Sequence, residues 1–332
     1  MASLSFTSVT PPLLVLLSCL LSVAHAVTCY QKDKTALLEF KKSLNNPYHL
    51  ASWDPNTDCC DWYCVTCDVD TGRVSELAIF AGNVTGTIPD SIGELTALTE
   101  LTLRKLDLYG EISPKIGLLR NLTSLRLDWN RFSGQVPEWL SELNRLTFLD
   151  LAFNQFSGNI PATLSQLPNL VALHLDRNQL SGEIPASFGG FRGKTPSLYL
   201  SHNRLSGLVP KSLGSIDFDV IDISRNLLEG DVSHLFGATK STFSIDISRN
   251  KFVFDFGKVE VPTGLGVLDM NHNAIYGEIP KSIVGLGMFQ SFNASYNRLC
   301  GAIPQGGEMK RFDASSYIHN KCLCGSPLPA CT

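Results

Sequence analysis

The chain has 332 residues, with 27 Lys and Arg against 31 Asp and Glu and a net charge of −4. A single globular core rarely grows past about 250–300 residues, so a chain of this length either divides into domains or stacks small units in a line. No Lys/Arg-rich run long enough for a nucleic-acid footprint occurs, and no apolar stretch reaches the ~20 residues of a membrane span. Neither nucleic acid nor membrane is expected as a partner.

Residues 1–26 carry no Asp, Glu, Lys or Arg, hold the apolar run Leu13–Val23 and finish Ala24-His25-Ala26. This is the pattern of a secretory signal peptide with a small-residue cleavage site, so the mature product is expected to be exported. Apart from Cys19 in that leader, the cysteines fall in two clusters at the ends, Cys29/Cys59/Cys60/Cys64/Cys67 and Cys300/Cys322/Cys324/Cys331. An array of repeats is open at both ends and cannot bury its terminal faces alone, so disulfide-stapled caps belong there.

The amino-terminal cap, residues 27–73, begins with Lys34–Leu44, where Leu37, Phe40 and Leu44 form one stripe of a short helix expected to cover the first repeat. Cys59 and Cys60 are adjacent and must reach different partners, because a bond between them would strain the backbone. Cys64-Val-Thr-Cys67 also matches a redox C-x-x-C, but the βαβ context of that motif is missing.

From residue 74 to 304 one phrase repeats, as in Leu122-Thr-Ser-Leu-Arg-Leu-Asp-Trp-Asn130-Arg-Phe-Ser-Gly134-Gln-Val-Pro137. Its glycine recurs at Gly86, Gly110, Gly134, Gly158, Gly182, Gly207, Gly230, Gly277 and Gly301, with Phe254 in the remaining slot, a period of about 24 residues. The fold class is therefore an α/β solenoid, a right-handed superhelix of ten leucine-rich repeats with a carboxy-terminal cap over 305–332. In each repeat x-x-L-x-L-x-x reads as a short strand, its leucines directed into the stack and the intervening residues facing a concave parallel sheet. Eight of the ten turn asparagines are present (Asn130, Asn154, Asn178, Asn203, Asn226, Asn250, Asn273, Asn297), while Gly82 and Leu106 fill the first two slots. Their buried amides are expected to satisfy backbone groups of neighbouring coils. The Gly-x-Ile/Val-Pro step then leads into a short 3₁₀ turn on the convex side. Repeats 2, 7 and 8 depart with Ser113, Ser233 and Gly257 at the proline, and Phe254 and Phe256 predict an altered coil in repeat 8.

The Gly-x-Ile-Pro step is the plant extracellular form of the repeat. Together with Asp58-Cys-Cys-Asp-Trp-Tyr-Cys-Val-Thr-Cys-Asp68, Tyr199-Leu-Ser-His-Asn203, Asn297-Arg-Leu-Cys-Gly301 and Cys322-Leu-Cys-Gly-Ser-Pro-Leu-Pro-Ala-Cys331, it resembles the plant polygalacturonase-inhibiting proteins over essentially the whole mature chain. The resemblance implies four disulfides, Cys29–Cys59, Cys60–Cys67, Cys300–Cys322 and Cys324–Cys331, with Cys64 free. It also implies a cell-wall protein that binds fungal, and in some cases insect, endopolygalacturonases through the concave sheet and blocks their action on pectin, with no cofactor and no metal.

Concave side chains stand in columns about 4.8 Å apart. In repeats 3 to 7 the candidate partner-binding residues are Arg126, Asp128, Trp129, Phe148, Asp150, Phe153, His174, Asp176, Arg177, Tyr199, Asp222 and Arg225. Aromatic and arginine anchors with acidic neighbours suit an enzyme whose own substrate is a polyanion. Asp128 and Asp176 occupy a position that usually holds a small residue, whereas Asp222, Asp246 and Asp269 belong to the repeat phrase. Two other classes of function compete with this one. Asp150, His174 and Ser201 could be drawn as a catalytic triad, but a flat exposed column supplies no pocket and no oxyanion donors. Ice binding, known in a leucine-rich antifreeze protein similar to this family, wants uniform Thr or Asn arrays, and these columns are mixed. A generic extracellular ligand-binding repeat protein is the blander alternative. Sequons at Asn83, Asn121 and Asn293 are expected to carry glycans, and below the pI of about 6.0 Arg104, Lys105, Arg126 and the histidines are expected to give a weak electrostatic association with pectin.

Overall fold

The computed structural model describes residues 28–192 and 196–331; the leader lies outside them. The helix Gln31–Ser43 buries Ala36, Leu37 and Phe40 against the turn Asp90–Glu94 of the first repeat, as the stripe predicts. Trp53 and Trp62 stack beneath it with ring centroids 5.6 Å apart. Among the described residues the disulfides are Cys29–Cys59, Cys60–Cys67, Cys300–Cys322 and Cys324–Cys331, and Cys64 is free. Burial pushes the Cys64 thiol up to about 11, with Tyr63 opposing through a hydrogen bond, so this cysteine stays protonated and inert.

The concave sheet has eleven strands, not ten. Val65–Cys67 of the cap adds an antiparallel edge to Val74–Phe80, and the remaining strands run parallel from Val74–Phe80 to Ser291–Asn293. In each repeat the leucines or isoleucines of the strand are buried while their neighbours face the concave side, as in Ser124–Arg126 with Leu125 inside. Short parallel sheets along the flank add a second row of pairing, for example Gln179–Gly182 beside Arg204–Leu208. The one-residue strand grammar of the repeat does not announce this row. The convex side carries 3₁₀ turns that mostly start just after the repeat proline, as at Glu138–Glu142 after Pro137. Where repeat 2 lacks that proline, the Ser113 side chain instead accepts from the Lys115 amide. Repeat 8 is altered as expected: its convex turn shrinks to Phe256–Lys258, capped by Asp255, while Phe254 and Phe256 are buried near Phe236.

Asparagines join one coil to the next. Asn154 Nδ2 donates to Leu127 O of the preceding coil (3.0 Å) and to Leu151 O and Ala152 O of its own, while its Oδ1 accepts from Phe132 N. All eight predicted asparagines repeat this pattern. A further rung was missed. Asn320 accepts from Leu299 N and donates to Ala294 O and Tyr317 O, so the carboxy-terminal cap opens with a degenerate eleventh coil. There Tyr317 fills the leucine position and is fully buried. The phrase Tyr317-Ile-His-Asn320 carried the signal, but its single surviving repeat landmark hid it.

Candidate functional site

The residue before each ladder asparagine adopts a left-handed conformation, with φ between 52° and 57° at Trp129, Phe153, Arg177 and Arg225. For non-glycine residues this costs roughly 1–2 kcal/mol. The asparagine that follows, locked into four hydrogen bonds, holds the turn against that cost. The consequence is functional geometry: these side chains leave the strand plane and stack along the corner of the solenoid. Trp129 lies on Phe153 with centroids 3.7 Å apart, and the Arg177 guanidinium covers the other side of Phe153 at 4.9 Å.

A second ladder crosses the concave face itself. Arg126 stands over Phe148 at 4.9 Å, Phe148 meets His174 at 5.2 Å, and His174 stacks on Tyr199 at 4.2 Å. The strands fix the order, since Arg126, Asp150, His174 and Tyr199 are consecutive register partners. The sequence columns thus bring nine of the candidates into two parallel ladders and the carboxylates between them: Arg126, Phe148, His174 and Tyr199 in one, Trp129, Phe153 and Arg177 in the other, with Asp150 and Asp176 between. Trp129 is 45% exposed, so one face of its indole remains open.

The carboxylates behave differently from the sequence expectation. Asp128 is not solvent-facing. It is 2% exposed and lies under Arg104, whose Nε donates to its Oδ2 at 2.7 Å. Its charge is therefore spent inside the fold. Asp150 is also buried, and its Oδ1 accepts from Ala152 N. Burial first, and the neighbouring Asp128 second, push the Asp150 carboxyl up to about 6. Burial followed by repulsion from Asp150 pushes Asp176 up to about 7, while burial and then Arg126 pull His174 down to about 4. His174 Nδ1 is 3.9 Å from Asp176 Oδ1. At pH 5–6 both groups are mainly neutral, and the middle of the face is an uncharged aromatic patch with arginines at its rim. The negative charge of Asp176 develops only toward and above neutrality.

Asp222, Asp246 and Asp269 show why they belong to the repeat phrase. Each Oδ1 accepts from the backbone amide two residues on, Ser224 N, Ser248 N and Asn271 N. Asn293 does the same toward Ser295 N. An amide replaces the carboxylate without loss, so the acceptor geometry and not the charge is what the coil requires. Arg225 continues the left-handed corner two coils beyond Arg177. Ser201 forms no hydrogen bond with His174 or Asp150 among the described residues, and His174 is committed to its stack. No helix of the described residues is long and apolar enough to cross a membrane.

Of the sequons, Asn83 is exposed. Asn121 uses its Nδ2 to donate to Thr96 O and its Oδ1 to accept from Arg145, a tie between coils on the convex edge. Asn293 lies on the last concave strand.

An open curved face, bridged coil to coil by asparagines and lined by two stacked ladders, defines a leucine-rich repeat recognition scaffold. Family profiles agree: residues 31–68 match the leucine rich repeat N-terminal domain, and 120–180 and 197–216 match leucine rich repeats. Polygalacturonase inhibitor 2 of Arabidopsis thaliana is 62% identical over 327 residues, covering 97% of this chain and 99% of that one. The polygalacturonase inhibitor of Vitis vinifera is 57% identical over 320 residues, covering 96% of each. Among solved structures, a plant ice-binding protein superposes with a TM-score of 0.90 at 47% identity, covering 92% of this chain and 99% of that one. The chain belongs to the polygalacturonase inhibitor family.

Proposed function

We propose that this protein is a secreted inhibitor of endopolygalacturonases, acting at the plant cell wall on enzymes of fungi or insects, and that it engages them through the concave face of repeats 3 to 7. The observation that carries the inhibitory role is identity of 54–62% to named polygalacturonase inhibitors along nearly the full chain, caps included. Support for the face comes from the two ladders. Trp129, Phe153 and Arg177, with Arg126, Phe148, His174 and Tyr199, offer rigid aromatic and guanidinium anchors of the type that dominates interface energetics. The role is binding and not catalysis, because a site that shuts down an enzyme needs complementarity and desolvation, and an open sheet provides both without a reaction centre. Below the pI the whole protein turns net positive and associates loosely with polyanionic pectin through Arg104, Lys105 and Arg126; this retention is expected to vanish in several hundred millimolar salt.

The test is an inhibition panel of purified protein against fungal, insect and plant endopolygalacturonases, read as reducing-end release from polygalacturonate. Inhibition of at least one fungal or insect enzyme at sub-micromolar protein is expected, and none across the panel would refute the assignment. Likeness to a plant ice-binding protein makes ice binding the second reading. Its concave columns mix Arg, Asp, Phe and His rather than repeating one small hydroxyl or amide residue, and a thermal-hysteresis measurement decides the matter.

A further inference from the structure

Repeats 1 to 3 hold a depression of about 490 Å³ on the concave face, outside the two ladders except for Arg126, which begins the Arg126–Tyr199 ladder. Its origin is the pair of small side chains at the centre of the first two repeat strands. Ala78 and Thr102 are register partners and lie side by side as a floor, with Arg126 next in the same row. One wall is the register pair Glu76 and Glu100. At the opposite end stand Phe80, which is 50% exposed, its register partner Arg104, and Lys105 on the left-handed corner.

The charges of this depression are sorted and mostly uncompensated. Glu76 and Glu100 sit on neighbouring strands, where like charges repel, and neither forms an ion pair among the described residues. Glu76 accepts only from the Thr66 hydroxyl at 3.3 Å. Lys105 and Arg126 likewise have no carboxylate partner there, and Arg126 leaves a buried Nε without a hydrogen bond. Only Arg104 is engaged, through Nε to Asp128, and its side chain is still 48% exposed. An anionic end at Glu76 and Glu100 therefore faces a cationic end at Arg104 and Lys105 across the small side chains of Ala78 and Thr102, with Arg126 at the edge of that floor and an open aromatic ring at the cationic end. A ligand that is positive at one end, negative at the other and apolar near the negative end satisfies all of them at once.

The spacing selects the ligand. From the Glu76 row to the Phe80 row is four residues along a strand, about 13 Å at ~3.3 Å per residue, which is the separation of the two termini in an extended tetrapeptide. We propose that this depression binds a short extended peptide, its amino-terminal ammonium on Glu76 and Glu100, its carboxy-terminal carboxylate on Lys105 and the remaining guanidinium nitrogens of Arg104 at the Phe80 end, and one apolar side chain on Phe80. Charge-assisted hydrogen bonds at both ends fix the direction of the chain. The site goes beyond inhibition of polygalacturonases and does not depend on it.

Calorimetric titration of the full-length mature protein with the tetrapeptide Gly-Ala-Phe-Gly tests this, alongside its N-acetylated and C-amidated forms. The free peptide is expected to bind at millimolar concentration or below, and blocking either end is expected to weaken binding about tenfold. Glu100→Gln should weaken the free peptide and shrink its advantage over the acetylated form; Lys105→Gln should do the same for the amidated form. Both side chains are at the surface, and unchanged thermal melts would show that the variants fold. No binding of the free peptide at 5–10 mM, on the order of the weakest affinity a specific tetrapeptide site would show, overturns the proposal. So does equal binding of the three forms, or an acetylation effect that is undiminished in Glu100→Gln. No polygalacturonase is present in this assay, so its outcome is separate from that of the inhibition panel.

Discussion

Trp129→Ala removes the one large aromatic of the corner ladder that keeps an open face. The indole is 45% exposed, and a tryptophan buries up to ~250 Å², so a partner seated on it covers roughly 110 Å². At ~25 cal/mol/Å² that is about 2.8 kcal/mol, or roughly a hundredfold in affinity. Because the group is uncharged, the loss should fall on the dissociation rate while association stays within about threefold. Loss of the stack on Phe153 removes only about 0.5–1.5 kcal/mol from the fold, and the left-handed turn is held by the Asn130 amide whichever side chain precedes it. Surface plasmon resonance against one inhibited polygalacturonase, after matched thermal melts, gives both rates. Tyr48→Ala is the control, since Tyr48 is 94% exposed on the amino-terminal cap and should leave both rates unchanged. A dissociation rate for Trp129→Ala within twofold of wild type would refute the placement of the interface on this ladder.

Asp176→Asn separates the protonation states of the concave centre. The folded carboxyl titrates near 7 because of burial, above its unfolded value near 3.9, so ionisation destabilises the fold as pH rises between these values. Relative to wild type, the variant should gain on the order of 2–3 kcal/mol in stability between pH 5 and pH 8, read as a melting temperature that falls less with pH. His174, held near 4, acts in the opposite sense below its unfolded value of about 6.5 but is common to both proteins; a constant difference in melting temperature across that range would remove the account. Asn320→Ala strips partners from Leu299 N and Ala294 O at about 1–3 kcal/mol each, so hydrogen exchange over 291–320 should accelerate well before the central repeats, and uniform exchange would contradict an eleventh rung. Glycopeptide mapping is expected to find glycans at Asn83, Asn121 and Asn293; because Asn293 lies on the last concave strand, a glycan there would crowd that repeat, and a bare Asn293 would leave it open to a partner.

The period, the strand direction of each leucine and the place of the caps were all legible in the sequence, because each coil must bury the same stripe against the next and repetition makes that demand visible many times over. The asparagine ladder was legible for the same reason, until Asn320, where one coil stands without the rest of its phrase. Position within the repeat placed Asp128, Asp150 and Asp176 on one concave face, where Asp150 is the register partner of Arg126 and His174. Their exposure and charge were not legible. Whether a concave carboxylate points to solvent or sinks beneath Arg104 depends on the side chain in the adjacent coil, about 24 residues away in sequence and about 4.8 Å away in space. The stacking of Trp129 on Phe153, and of His174 on Tyr199, is decided in the same way. Alternation along a strand is a local property that the sequence carries by itself; desolvation and the ring contacts between columns belong to pairs of coils, and only the stacked structure brings those pairs together.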